Sequence, residues 1–379
     1  MKKILSVALV LSLLFIGAGV GFSWSQQNSG TVNYKSMAKA YDPAQTVATV
    51  DGRDVSWGEY YYWFSSYAQQ MEAMFKQYET YYGIECSWSD PIDAESGETY
   101  AEQPAAYADD ILRQYAAAEK YAEANGIAIT AEDAAALDAL KMDSIAGVCE
   151  DPTSDAAFES VLAELYMPRA TFDRMIEDNY LSQKCITEIF GDNGEKTDDA
   201  DVAAFLTDQG YMRAMHILLM TIDRDTGETV SQDELREKQA KATEISEELR
   251  AIKSDEERFA KFSGFLAELN EDEGMTIFPS GYTFLPGTMV PVFESAVAGL
   301  KEYEVSEPVE SSYGYHVIIR LPLDADEYLY EYYMNNQQVT GRLLYASTTY
   351  NAALDTCYQE VNLEYADGFN VLDINRYVR

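Results

Sequence analysis

Histidine is nearly absent from this chain, with two copies in 379 residues. Both, His216 in YMRAMHILLM and His316 in SSYGYHVIIR, sit inside short apolar runs that read as buried strands. Cysteine is scarce as well. Cys86, Cys149, Cys185 and Cys357 are dispersed and form no C-x-x-C pair, which argues against a zinc or thioredoxin-type site, and no metal or other cofactor is expected. Outside the cell the cysteines admit one or two disulfides, with three pairings open. No cysteine precedes Cys86, which excludes a lipoprotein-type start. Basic residues are few, 27 Lys and Arg against 65 Asp and Glu, and the net charge of -38 argues against a nucleic-acid partner, because phosphate binding needs clustered cations. Most of that acidity reads as a solubilising surface. No internal repeat is visible.

What the chain does contain is apolar: 47% hydrophobic and 13% aromatic residues, over a length that accommodates two or three ordinary domains. Met1-Lys2-Lys3 precedes an uncharged run from Ile4 to Trp24 that, as a helix, would extend roughly 31 Å and could cross a bilayer. Residues 1–24 are therefore expected to be a secretion signal or a membrane anchor. The length of the run and the want of a small-x-small cleavage site favour the anchor. Positive charge lies before the run and none follows until Lys35, so the rest of the chain is expected outside the cytoplasm.

Residues 25–45 are polar and aperiodic and read as a tether. Residues 46–197 open with a short strand at Val47 to Val50 and a turn at Asp51-Gly52, and then read as helical. Ser56-x-x-Glu59 reads as a capping box opening an aromatic-rich helix, Thr130-x-x-Asp133 and Thr171 as further N-caps, and Gly126 as a helix end. Tyr60, Tyr61, Tyr62, Tyr81 and Tyr82 either pack a helical core or offer a surface to unfolded chains. After a Gly/Asp-rich break, residues 205–325 change texture. A strand precedes two helices, marked by Ala242, Ile245, Leu249 and Ile252 and by Phe259, Phe262, Leu266 and Leu269. A loop, a helix starting near Pro291 and two strands complete a small α+β domain. Beyond Asp326 a tyrosine-rich helix is expected to about Cys357. Residues 326–379 are expected to rejoin the helical domain, because VNLEY near the C-terminus and TVATV near the N-terminus are each too short to be stable alone and could pair.

Within the α+β region the segments H-I-L-L, F-P-S-G-Y-T-F, G-T-M-V-P-V-F-E-S-A and V-S-E-P-V-E-S-S-Y-G-Y-H-V-I-I-R follow in that order. Residues 210 to 323 thereby resemble a parvulin-type peptidyl-prolyl cis/trans isomerase. The wider arrangement, with an N-terminal apolar segment, VATVDGRDVSWGEYYYW, helices and a helical return, resembles the PrsA/SurA group of extracytoplasmic foldases. The resemblance implies an α+β parvulin domain, an antiparallel sheet with surrounding helices, inserted into a mostly helical chaperone domain. It also implies that His216 and His316 face each other beneath a substrate pocket, that Met289 and Phe293 grip the proline ring, and that the Ser311 hydroxyl orients a histidine. Strand alternation independently puts Ala214, His216 and Leu218 on one face, and likewise His316, Ile318 and Arg320. A helix beginning near Pro291 would put Met289 and Phe293 on a common face.

Two departures from the family pattern bear on activity. Where the family commonly reads G-G-D-L-G or a cysteine equivalent, this chain has Phe278-Pro279-Ser280-Gly281-Tyr282, so Ser280 takes the acidic or thiol position with a neutral hydroxyl. Lys301-Glu302-Tyr303-Glu304 stands where a glycine turn is usual. No basic cluster follows His216, so phosphoserine-proline specificity is not expected. Two functions are open: an extracytoplasmic prolyl isomerase and folding chaperone acting on X-Pro segments of unfolded exported proteins, or a non-catalytic holdase whose parvulin domain only binds substrate. Ser280 favours the second; His216, Met289, Phe293 and His316 favour the first. A membrane contact is expected through the N-terminal segment if that segment is uncleaved.

Overall fold

The computed structural model describes residues 31–93, 97–145, 149, 154–223, 226–334 and 337–378. The run expected to be a signal or anchor lies outside the described residues. Among those described, no helix is long and apolar enough to cross a membrane. The chain divides into two compact units, one comprising the described residues up to Ile189 together with those from Thr348 onward, the other Phe190–Ser347.

The first unit is mostly helical: α1 (Tyr34–Ala38), β1 (Thr46–Val50), β2 (Arg53–Ser56), α2 (Trp57–Tyr82), α3 (Gln103–Ala124), α4 (Ala134–Ile145), α5 (Asp155–Glu164) and α6 (Arg169–Phe190). Asp51 and Gly52 both take positive φ, at 49° and 81°, the backbone that a two-residue hairpin between β1 and β2 requires. Strand β1 also pairs antiparallel with Leu363–Tyr365, so TVATV and VNLEY do meet. Part of the expected tether is folded: Met37 and Ala38 are fully buried, and the Ala38 carbonyl accepts a hydrogen bond from the Trp57 indole, which gives this polar stretch an anchor its composition conceals.

Helix α2 shows how a local signal is diverted by burial. The Ser56 hydroxyl caps the Glu59 N–H as expected. Glu59 itself, fully buried, turns its carboxylate to Arg53 and Arg174, while Asp178 lies 3.5 Å from Arg53. A buried charge demands a countercharge more strongly than a backbone cap does. Thr171 caps nothing, because its helix starts at Arg169; its hydroxyl meets that of Ser56 at 3.0 Å. The tyrosines divide. Tyr60 and Tyr61 are buried beside Trp57, whereas Tyr78, Tyr81 and Tyr82 stand exposed at the far end of α2, Tyr81 at 74%. The four cysteines are free thiols.

The second unit comprises α7 (Asp199–Asp208), β3 (Met212–Met220), α8 (Gln232–Ala251), α9 (Asp255–Leu269), α10 (Gly274–Ile277), β4 (Tyr282–Phe284), α11 (Pro291–Gly299), β5 (Val309–Glu310), β6 (Gly314–Leu321), β7 (Tyr328–Met334), β8 (Gln337–Thr340) and the start of α12 (Gly341–Tyr358). Its sheet has the order β5-β6-β3-β4-β7-β8. All neighbours are antiparallel except β4 and β7, which run parallel through Thr283 and Leu329. Ala242, Ile245 and Leu249 of α8 and Phe262 of α9 are fully buried in the core with Ile217 and Val317.

Two expectations fail here. The helix expected beyond Asp326 begins only at Gly341; Tyr328–Met334 and Gln337–Thr340 are strands, with Tyr328 exposed, Leu329 buried and Tyr330 half-buried. Tyrosine suits a half-buried strand better than a helix interior, and the 3.6-residue pattern resumes only where the Thr340 hydroxyl accepts from the Leu343 N–H. Met289 precedes α11, whose N-cap is Val290, so it shares no helical face with Phe293. The Glu294 carboxylate, accepting from the Gly287 and Met289 N–H groups at 2.7 and 2.8 Å, folds that loop back over the helix start. Tyr303, where a glycine is usual, takes φ 60°.

Candidate active site

In the β3–β6 register Leu218 stands opposite His316 and His216 opposite Ile318, which puts both histidines on one face of the sheet as diagonal neighbours. The rings are 6% and 3% exposed, and their Nδ1 atoms meet at 2.8 Å. The next hydrogen-bond partners orient them. His216 Nε2 lies 2.7 Å from the Asp272 carboxylate, which also accepts from the Tyr282 hydroxyl at 2.8 Å. At the other end His316 Nε2 lies 2.7 Å from the Ser311 hydroxyl, the role the resemblance implies for Ser311. One direction of donation satisfies every atom: Tyr313 N–H to Ser311, Ser311 to His316, His316 to His216, and His216 to Asp272.

Burial, then the neighbouring His216 ring, pushes His316 down to about 3, which keeps it neutral at ordinary pH. Burial acts to raise Asp272, but hydrogen bonds from His216, Tyr282 and the Gly274 N–H outweigh it and hold the carboxyl at about 2. Tyr282 is raised by burial and by Asp272, so it stays a phenol and a donor.

Asp272 is the residue the sequence reading missed. Strand β4 covers β3 only from Met212 to Ala214. Beyond that the edge of β3 is taken by a loop: the Leu218 N–H donates to Asn270 Oδ1 at 2.9 Å, the Glu271 N–H donates to the Leu218 carbonyl at 2.9 Å, and the carboxylate two residues after Asn270 reaches His216. Gly274 permits the approach, since a Cβ there would fall 2.0 Å from the Tyr282 hydroxyl. A signal existed in Asn270-x-Asp272-x-Gly274, but in an acidic chain it reads as a solvated turn.

Ser280 is not brought to the site. Its carbonyl accepts from the Arg213 guanidinium at 2.9 Å and its side chain does not line the cavity; Gly281, with φ 102°, then turns the chain into β4. The carboxylate that meets a histidine here is that of Asp272, eight residues before Ser280.

Above the histidines opens a cavity of about 440 Å³. His216, His316, Phe293, Met289, Tyr282 and Asp272 line it, with Tyr330, Met220, Glu271 and Glu273 further out. The Phe293 ring stands edge-on to both imidazoles, 5.2 Å from His216 and 5.8 Å from His316. An apolar cup over a rigid, hydrogen-bonded histidine pair can desolvate a planar amide.

A four-stranded antiparallel core, flanking helices and a paired-histidine floor beneath an apolar cleft are the arrangement that the resemblance to a parvulin domain implied. Comparison with known proteins agrees: residues 216–321 match the family model described as the PPIC-type PPIASE domain. Parts of the chain are similar to proteins named as PrsA and SurA foldases and chaperones. It is 41% identical over 80 residues to Foldase protein PrsA 1 of Bacillus cereus, covering 21% of this chain and 26% of that protein. It is also 44% identical over 59 residues to Chaperone SurA of Chromohalobacter salexigens, covering 15% of this chain and 13% of that one. The chain thus aligns with about a quarter or less of the length of these curated relatives. A crystal structure of PrsA from Bacillus subtilis aligns over 84% of this chain and 91% of its own, with 16% identity and a TM-score of 0.23.

Proposed function

We propose that this protein is a peptidyl-prolyl cis/trans isomerase and folding chaperone that acts on X-Pro segments of unfolded polypeptides outside the cytoplasm. The observation that carries this reading is the buried Nδ1–Nδ1 pair of His216 and His316, held between Asp272 and Ser311 beneath an apolar cup. Rotation about a prolyl bond breaks no covalent bond; the barrier of about 18–20 kcal/mol is lost amide resonance, so no nucleophile is needed. A catalyst has to bind the twisted amide better than the planar one. Met289 and Phe293 seat the proline ring away from water, which penalises the charge-separated planar amide. The histidine pair, fixed between Asp272 and Ser311, forms a rigid floor beneath the twisting amide.

The holdase reading drew on the missing acid at Ser280, and Asp272 removes that ground. Holding remains part of the proposal for a different reason: Tyr78, Tyr81, Tyr82 and Ile84 stand exposed together at one end of α2 and offer apolar faces to an unfolded chain. An address outside the cytoplasm is supported by the N-terminal apolar run and by relatives named foldase and chaperone.

The test is NMR exchange between cis and trans forms of proline peptides with and without the full chain. Acceleration that His216→Ala removes is expected. An exchange rate equal to the uncatalysed rate would overturn the isomerase half of the proposal, and failure to suppress aggregation of an unfolded client would overturn the chaperone half.

A further inference from the structure

The family-matched segment ends at residue 321, yet the cavity does not end there. Strand β7 lies alongside β4 through Thr283 and Leu329, and this brings Tyr330 to the cavity wall. The Tyr330 ring packs edge-on against Tyr282 at 5.0 Å and against Phe278 at 5.3 Å, while Leu329, on the other face of the strand, is fully buried in a separate cluster with Leu206 and Val339. Along β3 the cavity runs from the level of Tyr282, which pairs with Ala214, to Met220, a span of six residues or roughly 20 Å. One prolyl ring over His216 fills only the middle of that length. The Met220 end is flanked by Glu271, and the opposite end is walled by Tyr282 and Tyr330.

We infer that Tyr330, on the β7–β8 hairpin beyond the family-matched segment, is a substrate-binding residue whose ring forms an aromatic ledge selecting a large apolar side chain next to the proline. The inference rests on the isomerase reading for what lies at the cavity's centre. Tyrosine suits such a ledge: it offers a wide apolar face at small entropic cost, and its packing on Tyr282 and Phe278 holds the ring in place before a ligand arrives. Tyr282 also donates to Asp272, so a side chain settling on the ledge presses on the residue that orients His216. Occupancy of the ledge and placement of the proline are thereby coupled.

The experiment uses the full chain, wild type, Tyr330→Phe and Tyr330→Ala, with peptides carrying Phe or Gly on either side of one proline. Binding is read by titration calorimetry and isomerisation by NMR exchange. On one side of the proline, wild type and Tyr330→Phe should favour Phe over Gly by about 3- to 10-fold, the contribution of one aromatic contact, and Tyr330→Ala should erase that preference by weakening the Phe peptide more than the Gly peptide. Equal loss for both peptides in Tyr330→Ala would mean that the residue is structural, and a preserved preference would mean that the ledge lies elsewhere; either overturns the inference. The two readings separate cleanly. A wild type that isomerises nothing, yet shows the Tyr330-dependent preference in binding, sinks the isomerase proposal and sustains the ledge; catalysis indifferent to Tyr330 does the reverse.

Discussion

His216 and His316, a hundred positions apart in the chain, face each other Nδ1 to Nδ1 at 2.8 Å. Each ring spends its second nitrogen on a fixed partner, Asp272 for one and Ser311 for the other, so neither can rotate without breaking two hydrogen bonds. The first consequence concerns Asp272. Replacing it with alanine should lower kcat/KM for a proline peptide by about 100-fold, the cost typical of losing one preorganised polar partner. Ser280→Ala and Ser280→Asp should both stay within about 2-fold of wild type by the same reasoning, because that side chain does not line the cavity. A rate gain in Ser280→Asp would return the acidic position to Ser280.

Phe293 is the second handle. It is 3% exposed, and its ring closes the cavity over both imidazoles. Phe293→Ala should abolish isomerisation, but a buried Phe→Ala change also costs about 3–5 kcal/mol of stability, so a thermal melt has to accompany it. Phe293→Leu keeps most of the volume and should still reduce kcat/KM by at least about 10-fold, as expected for a pocket that reads shape. Full activity in a folded Phe293→Leu protein would move the proline seat away from this ring.

Acid and alkali should act on the two units in opposite directions. His316, at about 3, lies below its unfolded value near 6.5, so between those values the unfolded chain binds more protons and the second unit loses stability as pH falls. Asp272, at about 2 against 3.8, adds a loss in the same direction lower down. Asp178 in the first unit is raised by burial and by Glu119 and Glu59 against the pull of Arg53. It therefore keeps a proton that the unfolded chain releases above about 3.9, and stability there falls as pH rises toward the folded value. Urea unfolding across pH should show His316→Gln flattening the loss toward acid and Asp178→Asn flattening the decline from about pH 4 upward. Unchanged slopes in the variants would refute these assignments.

Among the described residues the cavity wall carries Glu271, Asp272 and Glu273, and no lysine or arginine lines it. Peptides with phosphoserine or aspartate before proline should therefore be handled more slowly than those with arginine, with the gap narrowing as salt is raised from low to physiological ionic strength. A preference for phosphoserine, measured by the same NMR exchange, would contradict this field.

Much of the α+β unit was legible in the sequence by itself. The short apolar runs YMRAMHILLM and YGYHVIIR, and three-four spacing at Ala242, Ile245 and Leu249, are local signals that need no neighbour to be read. The pairing of TVATV with VNLEY was likewise legible, because two apolar strands too short to stand alone need partners. Only the tertiary structure decided the rest. Asp272 became the acid because short β4 leaves the edge of β3 beyond Ala214 open, and a loop of unremarkable acidic composition hydrogen-bonds into the gap. Met289 reached the cavity through a loop held by Glu294 rather than along a helical face, and Tyr330 through a strand whose tyrosines had suggested a helix. Glu59 abandoned half of a capping box because burial made its charge dearer than its backbone bond. In each case the residue type was visible from the start, but the energy that placed it came from a partner distant in sequence, and a linear pattern carries no term for that.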